Sequence, residues 1–177
     1  MNRKLRDCVR PGVRVLFVGI NPGIRSAAIG HHFAGYSNRF WKLLFESGLV
    51  PEPITTEDDG RLPEWGFGIT NLIARPTPGI DTLRREEYTT GVRPLRRKVR
   101  RWKPPVVAFV GVTLFRMVFG TRPGAPLALG LQPELFESAR VFVLPNPSGR
   151  NANFSYREML DAFRSLAVTL RDPSARL

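Results

Sequence analysis

Cysteine occurs once in this 177-residue chain, at Cys8, and histidine only at the adjacent pair His31 and His32. A lone thiol excludes an internal disulfide, and two neighbouring imidazoles do not give the ligand spacing of an ordinary zinc site. No run of roughly 18 apolar residues is available to cross a membrane, and MNRKLRDC lacks the apolar stretch of a signal peptide. Neither G-x-G-x-x-G nor G-x-x-x-x-G-K-[ST] occurs, which removes support for dinucleotide or nucleoside triphosphate binding. There is no G-x-S-x-G elbow, and Ser148 has no evident histidine base in its chain context, which disfavours acyl transfer. These absences predict a cytoplasmic protein whose chemistry uses no bound metal and no cofactor.

Acidic residues are also scarce: 27 Lys plus Arg stand against 15 Asp plus Glu, a formal net charge of +12. Such an excess favours binding to phosphate backbones, with an affinity that falls as salt rises. The segment LRRKVRRWK, Leu95 to Lys103, concentrates charge, but Leu95, Val99 and Trp102 fall on one stripe. It reads as an outer helix with a solvated basic face.

Length fits one domain, 1–177, with a core over about 12–171 and short flexible ends at MNRKLRD and RDPSARL. Val13 to Ile20, Val106 to Val110 and Val141 to Leu144 are nearly unbroken apolar runs, as in strands covered on both faces. GFGITNL, Gly66 to Leu72, is a fourth candidate. SNRFWKLLFESG reads as a helix capped by Ser37, with Phe40, Trp41, Leu44 and Phe45 on one face and a stop at Gly48. Ser155 and Glu158 have capping-box spacing before a stripe that runs from Met159 to Leu170. Strands alternating with helices predict an α/β fold, a three-layer α/β/α domain with a short, mostly parallel central sheet. Sites in such sheets lie beyond the carboxyl ends of the strands.

Two similar peptides fall on that edge: GINPG at 19–23 after the first strand and LPNPSGRN at 144–151 after the last. Each delivers an asparagine and then a proline where the backbone must turn sharply. An asparagine is no strong base, but its amide can orient a water and hydrogen-bond a base edge. That suits a reaction whose transition state places positive charge on a sugar. His31 and His32 read as loop residues near phosphate.

GINPG, then Phe33 before NRFW, then GITNLIARPT, then LPNPSGRN resemble the mismatch-specific uracil/thymine DNA glycosylases, a branch of the uracil-DNA glycosylase superfamily. The resemblance runs from about Val13 to Leu170. The superfamily's classic uracil-DNA glycosylases carry an aspartate water activator in the first motif, and its single-strand-selective branch a histidine at the start of the second, where this chain has Asn21 and Asn146. The resemblance implies that the chain extrudes uracil, above all opposite guanine, and hydrolyses its N-glycosidic bond without cutting the strand. Asn21 would position the attacking water, and Phe33 would stack on the base. The backbone at Ile20 would hold the uracil carbonyls, and Ser26 would lie near the C5 substituent. Asn146, Ser148, Gly149 and Arg150 would form the loop that enters the minor groove, with Arg150 as wedge. Some relatives carry lysine in place of Asn71, so Asn71 is expected either to strengthen uracil excision and loosen its dependence on an opposing guanine, or to close the strand end as a structural amide. Lysine occurs only at Lys4, Lys42, Lys98 and Lys103, none within either motif, so no lyase amine is expected. The implied partner is double-stranded DNA carrying uracil or a mismatched or damaged base, with single-stranded DNA as a further form. The implied protein is a bacterial-type, nucleoid-associated monomer. Specificity for another deaminated base such as hypoxanthine, or damaged-DNA binding without catalysis, stay open as alternatives.

Overall fold

The computed structural model describes residues 4–122 and 124–172. The order is β1 (Val15–Gly19), α1 (Ile24–Ile29), α2 (Phe40–Glu46), β2 (Phe67–Asn71), α3 (Arg85–Trp102), β3 (Val106–Val110), α4 (Val112–Phe119), β4 (Gly130–Phe136), β5 (Ala139–Leu144) and α5 (Tyr156–Arg171). Five strands form one sheet in the order β2-β1-β3-β5-β4. β2, β1, β3 and β5 are parallel, in a register that sets Val15 beside both Phe67 and Val106, and Val106 beside Arg140.

Successive side chains of a strand point to opposite faces, and here both faces are apolar. Val15, Phe17, Ile69, Ala108 and Phe142 pack with Phe40, Leu44 and Phe163 of α2 and α5. Leu16, Val18, Val107, Phe109 and Val141 pack with Tyr88, Leu95, Val99, Leu114 and Phe115 of α3 and α4. This two-sided burial makes the three-layer α/β/α architecture that the unbroken apolar runs predict.

Four details differ from the sequence expectation. β4 was not anticipated: it is an antiparallel edge strand of alternating burial, carries Pro133, and loses register between Leu131 and Leu135. An edge tolerates both proline and half-exposure. Ser37 does not cap α2. The helix starts at Phe40, whose N–H donates to Asn38 Oδ1 at 3.0 Å, while Ser37 lies against Gly149. α3 begins ten residues before the basic stretch, spanning both Gly91 and Pro94. A Cβ at Gly91 would meet the Leu72 carbonyl oxygen at 2.6 Å, so the glycine lets α3 press against the end of β2. Of the expected flexible ends, residues 1–3 and 173–177 lie outside the described residues. Asp7, by contrast, is tied down: it accepts from Thr70 Oγ1 at 2.6 Å and pairs with Lys98 at 2.7 Å.

Candidate active site

The parallel strands release four turns at one edge of the sheet, and a cleft of about 880 Å³ opens between them. Ile20, Asn21, Ser26, Phe33, Asn71, Asn146, Ser148 and Arg150 all line it. Residues up to 130 positions apart in sequence are thus brought together by the shared direction of β1, β2 and β5. Gly149 stands behind the rim: a Cβ there would meet Ser37 Cβ at 2.6 Å and the Ser37 carbonyl oxygen at 2.8 Å. A glycine is needed for the second-motif loop to lie this close to the Ser37 turn.

Asn21 is held through its nitrogen. Nδ2 donates to Thr77 Oγ1 at 2.8 Å, to the Arg75 carbonyl at 2.9 Å and to the Pro22 carbonyl at 3.2 Å. Thr77 Oγ1 spends its own proton on the Gly79 carbonyl at 2.8 Å, so toward Asn21 it accepts. Carbonyls also only accept, which fixes the amide orientation without ambiguity. Oδ1 is therefore the free end, with no partner among the described residues. The 75–79 segment is itself anchored: Thr77 N–H donates to Pro22 O at 3.1 Å, and Arg75 forms a two-pronged pair with Glu87 at 2.7 and 2.9 Å. Within GITNLIARPT the sequence alone gives Thr77 no role; its signal is the Pro-Thr-Pro run just beyond a strand end.

Phe33 sits at φ 51°, a left-handed backbone uncommon for an aromatic residue. Its ring stacks on Phe40 with centroids 4.1 Å apart. Anchors on both sides hold it there. Ala34 N–H donates to Ser26 Oγ at 3.0 Å, and the His32 carbonyl accepts from Trp41 Nε1 at 3.1 Å and Thr56 Oγ1 at 2.8 Å. Ser26 is buried, and its hydroxyl acts on this loop as well as lining the cleft.

The histidines differ from expectation. Both Nδ1 atoms lie 2.9 Å from Asp59, one on each carboxylate oxygen, and His32 N–H adds a third contact at 2.9 Å. A carboxylate only accepts, so both imidazoles carry the proton on Nδ1 in this arrangement. Burial alone pushes the Asp59 carboxyl up, but hydrogen bonds from His32 and His31 outweigh it and hold it at about 2. His32 is therefore a loop residue, as expected, but a buried one that clamps the Phe33 loop through Asp59.

The side chain of Asn71 has no hydrogen-bond partner among the described residues. It ends β2 beside Gly19, where a Cβ would meet its Oδ1 at 2.5 Å. Its amide thus stands in the cleft lining at the strand end. In the second motif, Asn146 Oδ1 accepts from Ser148 N–H at 3.0 Å, and the Asn146 carbonyl accepts from Asn151 Nδ2 at 2.9 Å, which shapes a compact turn. Arg150 is exposed and reaches across the cleft to the Pro78 carbonyl at 3.4 Å. Among the described residues, no group of three or more His, Cys, Asp or Glu side chains could hold a metal ion.

The chain matches the uracil DNA glycosylase superfamily over residues 7–167. It also resembles the solution NMR structure of a protein from Methanosarcina acetivorans assigned as a uracil DNA glycosylase. The TM-score is 0.62 at 17% identity, over 94% of this chain and 98% of that one. At that identity the structural likeness concerns the fold, and the family rests on the match that spans nearly the whole sequence. The chain belongs to the uracil DNA glycosylase superfamily.

Proposed function

We propose that the chain is a monofunctional, mismatch-specific uracil-DNA glycosylase. In this reading it takes uracil, above all opposite guanine, out of duplex DNA and hydrolyses the bond between N1 and C1′. The observation that carries the reading is Asn21: its nitrogen is committed to fixed acceptors, and its oxygen is left free in the cleft. Oδ1 accepts from a water and turns its lone pair toward C1′. As the glycosidic bond lengthens, its electron pair moves to the uracil ring and positive charge develops on the sugar. The water oxygen then bonds to C1′ and its proton passes to solvent, which balances the uracil anion that has left. A weakly activated water suffices for so electrophilic a carbon, so no strong base is needed beside it.

Phe33, backed by Phe40, offers a flat surface to the extruded base. Donors at the turn after Ile20 stabilise the departing anion as an oxyanion hole does. Arg150 leaves its long contact with Pro78 and enters the minor groove, where a planar guanidinium stacks between bases and meets phosphate. No lysine lines the cleft among the described residues, which supports release of an intact strand carrying an abasic site.

The test compares native protein with Asn21→Ala on labelled DNA carrying uracil opposite guanine, uracil opposite adenine, thymine opposite guanine or hypoxanthine opposite thymine. Alkali reveals the product. The expected result is release of uracil that favours the guanine mismatch, and a loss of about a hundredfold or more in the variant, the scale of one positioned transition-state contact. Hypoxanthine release above uracil release reassigns the substrate, and cleavage without alkali rules out a monofunctional enzyme. Salt-sensitive binding with no release would make the cleft a recognition site.

A further inference from the structure

Tyr36 lies in the turn between the Phe33 loop and α2, and its side chain is 92% exposed. The turn is tied by Asn38 N–H donating to the Gly35 carbonyl at 2.9 Å. Arg25 of α1 lies over the Tyr36 ring, its guanidinium carbon 4.3 Å from the centroid. That arginine is itself fixed, with Nη1 donating to the Ala34 carbonyl at 3.2 Å. One face of the ring is therefore backed by a positioned cation, and at this exposure the opposite face is open. Both residues line the cleft, with the exposed Ile24 beside them. The next residue, Ser37, lies against Gly149 of the second-motif loop. The platform thus stands on the rim, outward of Phe33 and adjoining the loop proposed to fill the duplex.

We infer that Tyr36, backed by Arg25, is a stacking site for an unpaired nucleobase next to the extruded uracil, and that it equips the chain to act on single-stranded DNA. The inference rests on the glycosylase reading of this cleft. A base stacks on an aromatic face without regard to sequence, and a guanidinium on the far face adds electrostatic attraction. In a duplex the flanking bases are already stacked and paired, so the ring gains little there. In a single strand nothing else holds the flanking nucleotide while its neighbour is in the pocket. Arg25 and Arg150 outnumber Asp81, the acidic residue of the cleft lining, so the local charge favours a phosphate backbone.

The experiment measures binding and single-turnover excision on a single strand whose one uracil is flanked by 2-aminopurine, and on the matching duplex. Native protein is compared with Tyr36→Ala, Tyr36→Phe and Tyr36→Trp. The ring is outside the core, so none of these removes buried contacts. Tyr36→Ala is expected to weaken single-strand binding by about tenfold or more, the scale of one base–aromatic stack. It should leave duplex excision close to native, and the Phe and Trp variants should retain single-strand binding. The 2-aminopurine emission should be quenched by native protein and not by Tyr36→Ala. Equal quenching and equal single-strand affinity in native and Tyr36→Ala would overturn the inference, as would a loss shared equally by both substrates. Quenching needs no turnover: native protein that quenches but releases no base keeps the stacking site and loses the glycosylase reading. Release without quenching does the reverse.

Discussion

If the strength of the base beside the water limited the reaction, Asn21→Asp would accelerate it. The geometry around Asn21 points the other way. The atom that donates to Thr77 Oγ1 at 2.8 Å, to the Arg75 carbonyl at 2.9 Å and to the Pro22 carbonyl at 3.2 Å would become an oxygen facing three acceptors. Thr77 can turn to donate only by giving up the Gly79 carbonyl, also at 2.8 Å. Each lost hydrogen bond is worth about 1 kcal/mol, and repulsion adds to it, so a cost of about 2 kcal/mol is expected for the half-buried site. The penalty falls on the ionised form, because a protonated carboxyl still donates once. The folded-state pKa of the introduced carboxyl is therefore raised above its ordinary value. For an acid raised on folding, the part of the destabilisation that belongs to the ionised form is absent below the unfolded value. It grows as pH rises toward the folded value and is constant above it. Urea unfolding of native and variant protein should differ by about 1 kcal/mol at about pH 3, where one hydrogen bond is still missing, and by about 2 kcal/mol at about pH 7.5. Uracil excision by the variant at neutral pH should fall below native. A penalty independent of pH, or excision that rises, would show that the nitrogen-side acceptors do not fix this side chain.

Gly19→Ala should reduce uracil excision, because its Cβ would stand 2.5 Å from Asn71 Oδ1, and Asn71→Ala in the same chain should relieve the clash. Measured singly and together for uracil excision, the two should be strongly non-additive; additive losses would mean that Asn71 moves aside freely. Gly149→Ala should weaken duplex binding while changing the unfolding midpoint little, since the Ser37 backbone oxygen at 2.8 Å forces apart two rim turns outside the core. Equal duplex affinity would show that the spacing of these turns does not matter. The Asp59 carboxyl, held at about 2, contributes stability above its unfolded value that is lost as pH falls from about 4 toward 2. Asp59→Asn should lower stability at neutral pH by on the order of 2 kcal/mol and flatten that acid limb, read by urea unfolding; an unchanged limb would place the acid sensitivity elsewhere.

The sheet was legible because β1, β3 and β5 are buried on both faces and so read as unbroken apolar runs. β4 was not, because an edge strand needs only one apolar face and this one also carries Pro133. The full length of α3 was hidden by Gly91 and Pro94, which look like breaks. In the fold, Gly91 is what lets the helix approach Leu72. Ser37 had the composition of a helix cap, but its position is set by the second-motif loop, more than a hundred residues away.

Asn21 and Arg150 lie in two short peptides that the parallel sheet sends to one edge, and their expected roles, like that of Phe33, came from the family resemblance. What supports those residues was hidden for a common physical reason. Thr77, the Arg75 carbonyl and Asp59 act through hydrogen bonds to partners 27 to 56 positions distant, and such pairs leave no period in a sequence. Asn21 shows why this matters. Composition and position identify an amide at a strand end, but an amide has a donating and an accepting end with opposite uses. Only the three acceptors around its nitrogen decide that the oxygen faces the cleft. The chemistry proposed for GINPG therefore depends on the 75–79 segment as much as on GINPG itself. Thr77→Val, which leaves the motif untouched, should for that reason lower the rate of uracil excision more than it lowers affinity for the duplex.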